Sequence, residues 1–154
     1  MREIVAEART WIGTPVVWEA SLKGVGCDCR GLVAGVAREL GRPEAAELEA
    51  RVVGYAGRIE ETALLAGLDR LFLRQAQDER GGWSLAPGDV LAFRYPNKRR
   101  QMTVQHLAIA TTEGRMVHAY MGDPARVCEV PIGAFWSRRL AGVWRWRAEK
   151  AGGE

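Results

Sequence analysis

The chain has 154 residues, with 22 Lys and Arg against 19 Asp and Glu, and 47% of it is hydrophobic. A chain of that size and balance forms one domain that buries about 70% of its unfolded surface without metal or disulfide staples, which excludes disorder, coiled coil and collagen. The net charge of +3 is spread along the sequence and no apolar stretch approaches the roughly 20 residues of a bilayer span, so neither a membrane nor a nucleic-acid partner is expected.

Ile4, Val5, Ala8, Trp11 and Ile12 share one face of a helix over residues 3–12, which Gly13, Thr14 and Pro15 end. The N-terminal segment mixes Arg2, Glu3, Glu7 and Arg9 with its apolar residues, so no signal peptide is read in it and synthesis in the cytoplasm is expected. A loop runs to Asp28. Leu32, Val33, Val36, Ala37 and Leu40 then repeat at helical spacing behind Asp28 as N-cap, with Gly41 and Pro43 as the stop. Helices are also expected at about 43–53 and 60–76. Beyond the polar stretch near Gln75–Gly82 the pattern changes to short strands, at 89–94, 104–111, 115–120, 126–130 and 142–147, with a hairpin turn at Thr112-Glu113-Gly114. Helices followed by an antiparallel meander define an α+β domain over residues 1–154.

The three cysteines, Cys27, Cys29 and Cys128, are too few for a disulfide framework and lack the second pair of a structural zinc site, so neither metal nor organic cofactor is expected. Cys29 follows the N-cap directly, where unpaired backbone N–H groups favour a thiolate. Cys27 precedes the cap and lies outside that field. The only two histidines, His106 and His118, fall in neighbouring strands twelve residues apart, roughly across a hairpin that turns near Glu113. A helix-capping cysteine facing two sheet histidines is a papain-like arrangement. Each residue alone is more often structural; the order of all three suits nucleophilic catalysis. Trp18 and Trp83 are candidates for a substrate groove, whereas Trp136, Trp144 and Trp146 are expected in the core. Cys128 is expected as a small core residue, Asp89 in a turn, and Lys98-Arg99-Arg100 in a solvated loop.

These residues resemble the NlpC family of papain-like cell-wall cysteine endopeptidases, in particular its phage-associated branch. Trp11-Ile12-Gly13-Thr14-Pro15 is similar to the family's entry segment, and Asp28-Cys29-Arg30-Gly31-Leu32-Val33 to its Asp-Cys-Ser-Gly-Leu-Val nucleophile motif. Pro87-Gly88-Asp89 resembles its strand entry, His106-Leu107-Ala108-Ile109-Ala110 its histidine strand, and Val117-His118-Ala119 the segment with its third catalytic residue. The resemblance implies hydrolysis of a peptidoglycan stem-peptide bond, most typically between D-glutamate and a diamino acid. Cys29 would attack, His106 would take the thiol proton and return it to the leaving amine, His118 would orient His106, and the Cys29 N–H would help hold the oxyanion. It also implies a phage or prophage-derived wall hydrolase with phage tail proteins as partners.

The sequence departs from the pattern at three places. Val16 replaces the usual tyrosine, Glu19-Ala20 a Gly-Gly, and Arg30 the usual serine. Arg30 is read as a substrate-binding residue for stem-peptide carboxylates, its alternative being a solvated first-turn side chain. Two rival functions follow: an inactive wall-binding tail component of the same fold, and Cys-His chemistry on another acyl group.

Overall fold

Asp28 starts the helix on which the site depends. Its backbone is extended, its carboxylate accepts the Gly31 N–H at 2.7 Å, and Cys29–Glu39 (α2) follows. The other Asp28 oxygen accepts the Glu19 N–H at 2.8 Å, tying the preceding loop to the helix start. That bond holds Glu19 in a left-handed conformation (φ 58°) where an L side chain is strained. Gly31 has a different reason to lack a side chain: a Cβ there would overlap the Ala20 carbonyl oxygen.

The computed structural model describes residues 1–51, 60–112 and 114–148. Arg2–Thr10 (α1) buries Ile4, Val5 and Ala8, and the fully buried Trp11 behind it packs where a Cβ on Gly35 would stand. The loop to Asp28 contains a two-stranded hairpin, Ser21–Leu22 (β1) and Gly26–Cys27 (β2), and is bonded through Gly13, Thr14 and Val16 to the chain near Val127. Ala45–Ala50 (α3) and Glu61–Leu71 (α4) complete the helical layer. Residues 52 and 53 of the helix expected at 43–53 lie outside the described residues, as does Glu113 of the expected hairpin turn.

The helix expected to reach residue 76 ends at Leu71. Phe72 turns extended to bury its ring edge-on against Trp146 at 4.9 Å, and Leu73–Arg74 (β3) pairs with the last strand. The helical periodicity carried past Leu71 because Phe72 fits either reading; the tryptophan decides. The sheet is otherwise close to expectation: Val90–Pro96 (β4), Met102–Ala110 (β5), Arg115–Tyr120 (β6), Arg126–Pro131 (β7) and Leu140–Arg145 (β8), in the order β3-β8-β4-β5-β6-β7 and antiparallel throughout. A short helix, Ala134–Ser137 (α5), precedes β8.

The α+β architecture expected from the sequence is therefore the observed one. The main core lies between the helices and one sheet face, with Leu32, Val36, Leu107, Ile109, Val117 and Trp144 among its residues. A smaller cluster on the other face contains Leu91, Phe93, Ala108 and Met116, with Trp83 and Trp136 against it. At the strand entry Asp89 serves the expected turn by accepting the Ala86 N–H, and also takes a bidentate bond from Arg145 at 2.9 Å. Among the described residues no helix is long and apolar enough to cross a membrane.

Candidate active site

Two irregularities in the sheet make room for a site. The β5–β6 ladder runs over only three residue pairs, from Ala110↔Met116 to Ala108↔His118, beyond which the two strands part. At the same level the β4–β5 pairing steps from Phe93↔His106 to Arg94↔Val104, leaving Gln105 as the extra residue of a bulge. Neighbouring residues of a regular strand face opposite sides; the bulge lets Gln105 and His106 line the same space.

That space is a cavity of about 540 Å³. Cys29 enters it from the start of α2 and Trp18 from the loop before it. Tyr95, Gln105 and His106 come from β4 and β5, and His118 to Gly122 from the end of β6 and the turn after it. Phe135 and Trp136 of α5 close the remaining side. The three residues expected to carry the chemistry, and Trp18, thus meet in one place. His106 and His118 are not directly opposed, because His118 faces Ala108; they are diagonal neighbours, and His106 Nε2 lies 2.9 Å from His118 Nδ1.

Arg30 is not brought there. One residue along the helix from Cys29, it donates from Nη1 to the Arg51 carbonyl at 3.0 Å and lines a separate small cavity with Leu48, Leu64 and Leu68. Cys27 is fully buried in β2, and Val16 packs against the main core. Trp83 packs on the second cluster away from the cavity. Trp144 and Trp146 are core residues as expected, but Trp136 is a half-buried lid over the histidines, stacked on His106 at 5.2 Å and edge-on to His118 at 5.3 Å. Cys128 is half-buried in β7. Among the described residues no three His, Cys, Asp or Glu side chains converge as a metal site would require.

The electrostatics depart from the expected thiolate. Burial pushes the Cys29 thiol up to about 11, the Asp28 carboxylate adds to this, and the backbone N–H groups of Leu107 and Arg30 only partly oppose it. Cys27 is raised further, to about 12, again by burial first. Both imidazoles are pushed down: His106 by burial and then by His118 beside it, His118 by burial. The resting site therefore holds a neutral thiol and neutral imidazoles. The Cys29 thiol donates to the Gln105 carbonyl at 3.8 Å, so its proton must change acceptor before the sulfur can attack. With His106 Nε2 engaged by His118, Nδ1 is the nitrogen left to accept it. This requires the tautomer in which His106 Nε2–H donates to His118 Nδ1.

A cysteine at a helix N-terminus and a hydrogen-bonded histidine pair on an antiparallel sheet, lining one cavity, is the arrangement of a papain-like α+β fold. No protein-family model matches the sequence and no curated protein matches it. Solved structures do match the fold. The NlpC/p60 domain of the peptidoglycan hydrolase SagA is 21% identical over 94% of this chain and 97% of that one, with a TM-score of 0.59. An NLP/P60 family protein similar to lipoprotein from Staphylococcus aureus is 20% identical over 96% of this chain and 41% of its own, also at 0.59. NlpC1 from Trichomonas vaginalis is 16% identical over 93% and 42%, at 0.62. The chain thus spans nearly all of the first and about two fifths of the other two. Its fold is that of the NlpC/P60 domains, as the sequence motifs implied.

Proposed function

We propose that the protein is a cysteine endopeptidase that cuts peptidoglycan stem peptides, with Cys29 as nucleophile, His106 as base and then acid, and His118 as the residue that orients His106. The observation that carries this reading is the convergence of Cys29 at the first turn of α2 and the 2.9 Å His106–His118 pair in one cavity. One structural neighbour, SagA, is a peptidoglycan hydrolase, which supports the substrate class. Within it, the sequence motifs favour the bond between D-glutamate and a diamino acid. The branch they resemble adds the setting: a phage or prophage-derived wall hydrolase, associated with phage tail proteins.

In this mechanism the Cys29 proton passes to His106 Nδ1 as Sγ attacks the carbonyl carbon. The carbonyl π bond of the scissile amide opens, and its oxygen becomes an oxyanion beside the Cys29 N–H. Collapse expels the amine, which takes the proton from His106 and leaves an acyl thioester on Cys29. Water, deprotonated by His106, then releases the acid and restores the thiol. The neutral resting pair makes proton transfer part of the attack. No preformed ion pair has to be stabilised in an apolar site.

The test is digestion of purified peptidoglycan by wild type and Cys29→Ala in parallel, with mass spectrometry of the released fragments. The expected result is Cys29-dependent fragments ending at one stem-peptide bond. Equal release by both proteins, or none by either while both sediment with the wall, would replace this reading.

A further inference from the structure

Several arginines of this chain are held by acids: Arg9 by Glu129, Arg38 by Glu49, Arg74 by Asp69 and Arg145 by Asp89. One end of the sheet differs. Residues 90–112 and 130–148 contain no Asp or Glu, yet Arg94, Lys98, Arg99 and Arg100 fall in the first segment and Arg138 and Arg139 in the second. All but the half-buried Arg139 are exposed, and among the described residues none of the six is in an ion pair.

The fold gathers them beside the cleft. The Arg94 N–H donates to the Arg139 carbonyl at 2.7 Å, and the Arg139 guanidinium carbon lies 3.7 Å from the centroid of the Phe135 ring. Phe135 and Tyr95 both line the cleft, with their ring centroids 6.5 Å apart. Lys98 is three residues past Tyr95, a span of at most about 10 Å and so about one Debye length at 0.1 M salt. The cations therefore act as one positive field. The turn that carries three of them is tied down by Asn97, whose Oδ1 accepts the N–H groups of Arg99 at 2.8 Å and Gln101 at 3.0 Å. Arg100 closes the turn with a φ of 60°, where glycine is unstrained and an arginine is not.

We propose that this end of the sheet is a docking surface for a phosphate-bearing polyol polymer of the cell wall, gripped by the Lys98–Arg100 turn together with Arg138 and Arg139. Arginine forks match phosphate oxygens, and a run of exposed cations suits a chain of repeated phosphates. Nucleic acid would carry the same charge, but single strands also need aromatic faces on which to stack bases. Here the Phe135 face is taken by Arg139, and Tyr95 is stacked on Trp136. The wall as the source of the polymer rests on the proposed function: a wall hydrolase held here has its cleft beside its substrate.

The experiment uses Cys29→Ala, so that nothing is digested, and measures sedimentation with cell walls carrying poly(glycerol phosphate) and with the same walls stripped of it by hydrofluoric acid. Cys29→Ala is expected to bind the polymer-bearing walls at least about tenfold more tightly, with the difference gone at about 0.5 M salt. Adding Lys98→Gln, Arg99→Gln and Arg100→Gly should bring the two walls within about twofold of each other. Glycine suits the φ of that position and Asn97 is kept, and circular dichroism checks that the variant is folded. Equal binding to both walls, or a preference that survives the three substitutions, overturns the inference. So does competition in which duplex DNA displaces the protein at a lower phosphate concentration than soluble poly(glycerol phosphate), which would assign the surface to nucleic acid. Cleavage of a short soluble stem peptide is read separately, and the three substitutions in the otherwise wild-type enzyme should leave its kcat/KM within about twofold. A protein that cleaves no stem peptide but still prefers polymer-bearing walls through this turn loses the peptidase reading and keeps the docking surface.

Discussion

Cys29 and Arg30 are consecutive in the first turn of α2, and they enter contrasting surroundings. On the Cys29 side is a large cavity with aromatic walls, two neutral imidazoles and no Lys, Arg, Asp or Glu among its described lining residues. The Arg30 side is a small space among leucines, where the guanidinium is bonded to the Arg51 carbonyl. A helix turns about 100° per residue, so one step along the sequence moves a side chain from one cavity to the other. Neighbours in sequence thus share the helix start without sharing a cavity. The thiol is raised by burial first and then by the Asp28 carboxylate, with backbone N–H groups and the Arg30 charge partly opposing, while the Arg30 side chain belongs to the packing of α2 against the helices after it.

The largest effect should come from the Cys29 side itself. Cys29→Ala is expected to lower kcat by at least about 10³-fold on a stem peptide, whereas Cys27→Ala, two residues earlier and outside the cavity, should stay within about tenfold of wild type. Circular dichroism of both variants separates chemistry from folding. His106→Ala should lose about as much as Cys29→Ala, and His118→Ala about 10²-fold, because His118 acts only through the orientation of His106.

Trp136 tests whether burial really sets the imidazoles. Removing its ring in Trp136→Ala admits water to the pair, so the acid limb of kcat/KM should move up toward 6.5, the ordinary histidine value, with about a tenfold loss of kcat. Trp136→Phe should restore the limb. A limb that stays in place would show that Trp136 contributes packing alone.

Stability should follow the same shifts. Because both histidines titrate lower in the folded protein than at 6.5, the unfolded chain binds protons first, and stability is lost as pH falls from about 6.5 toward about 4 for His118 and about 3 for His106. The raised thiols act at the other end, where stability is lost as pH rises above 9.0. Urea unfolding across pH reads both limbs, and in His118→Gln the acid slope should shrink. Arg30→Ala is the smallest change: about 1 kcal/mol of stability from the lost bond to Arg51, with kcat/KM within about twofold. A large fall in kcat/KM would put Arg30 back at the substrate.

What could be seen in the sequence was local. Asp28 announces the helix start because its carboxylate caps the third N–H of the helix, and Cys29 follows it. The histidine pair was visible because hairpin strands bring residues twelve apart onto one face. The bulge at Gln105 was invisible: nothing in Val104-Gln105-His106 marks the residue at which two strands change register. Trp136 was misplaced in the core because a tryptophan that shields a polar pair has the same neighbours in sequence as one that fills a core. Arg30 was assigned to substrate from its position beside the nucleophile, and the direction of a side chain around a helix depends on what α3 and α4 offer it.

In the proposed reaction Cys29 is the nucleophile and the His106–His118 pair activates it. A stem-peptide analogue carrying a chloromethyl ketone in place of the scissile amide tests this directly, with peptide mapping of the labelled protein. The account predicts alkylation at Cys29 alone, blocked by uncleaved substrate peptide and lost in His106→Ala. Labelling of Cys27 or Cys128 instead, or labelling of Cys29 that proceeds equally well without His106, would contradict it.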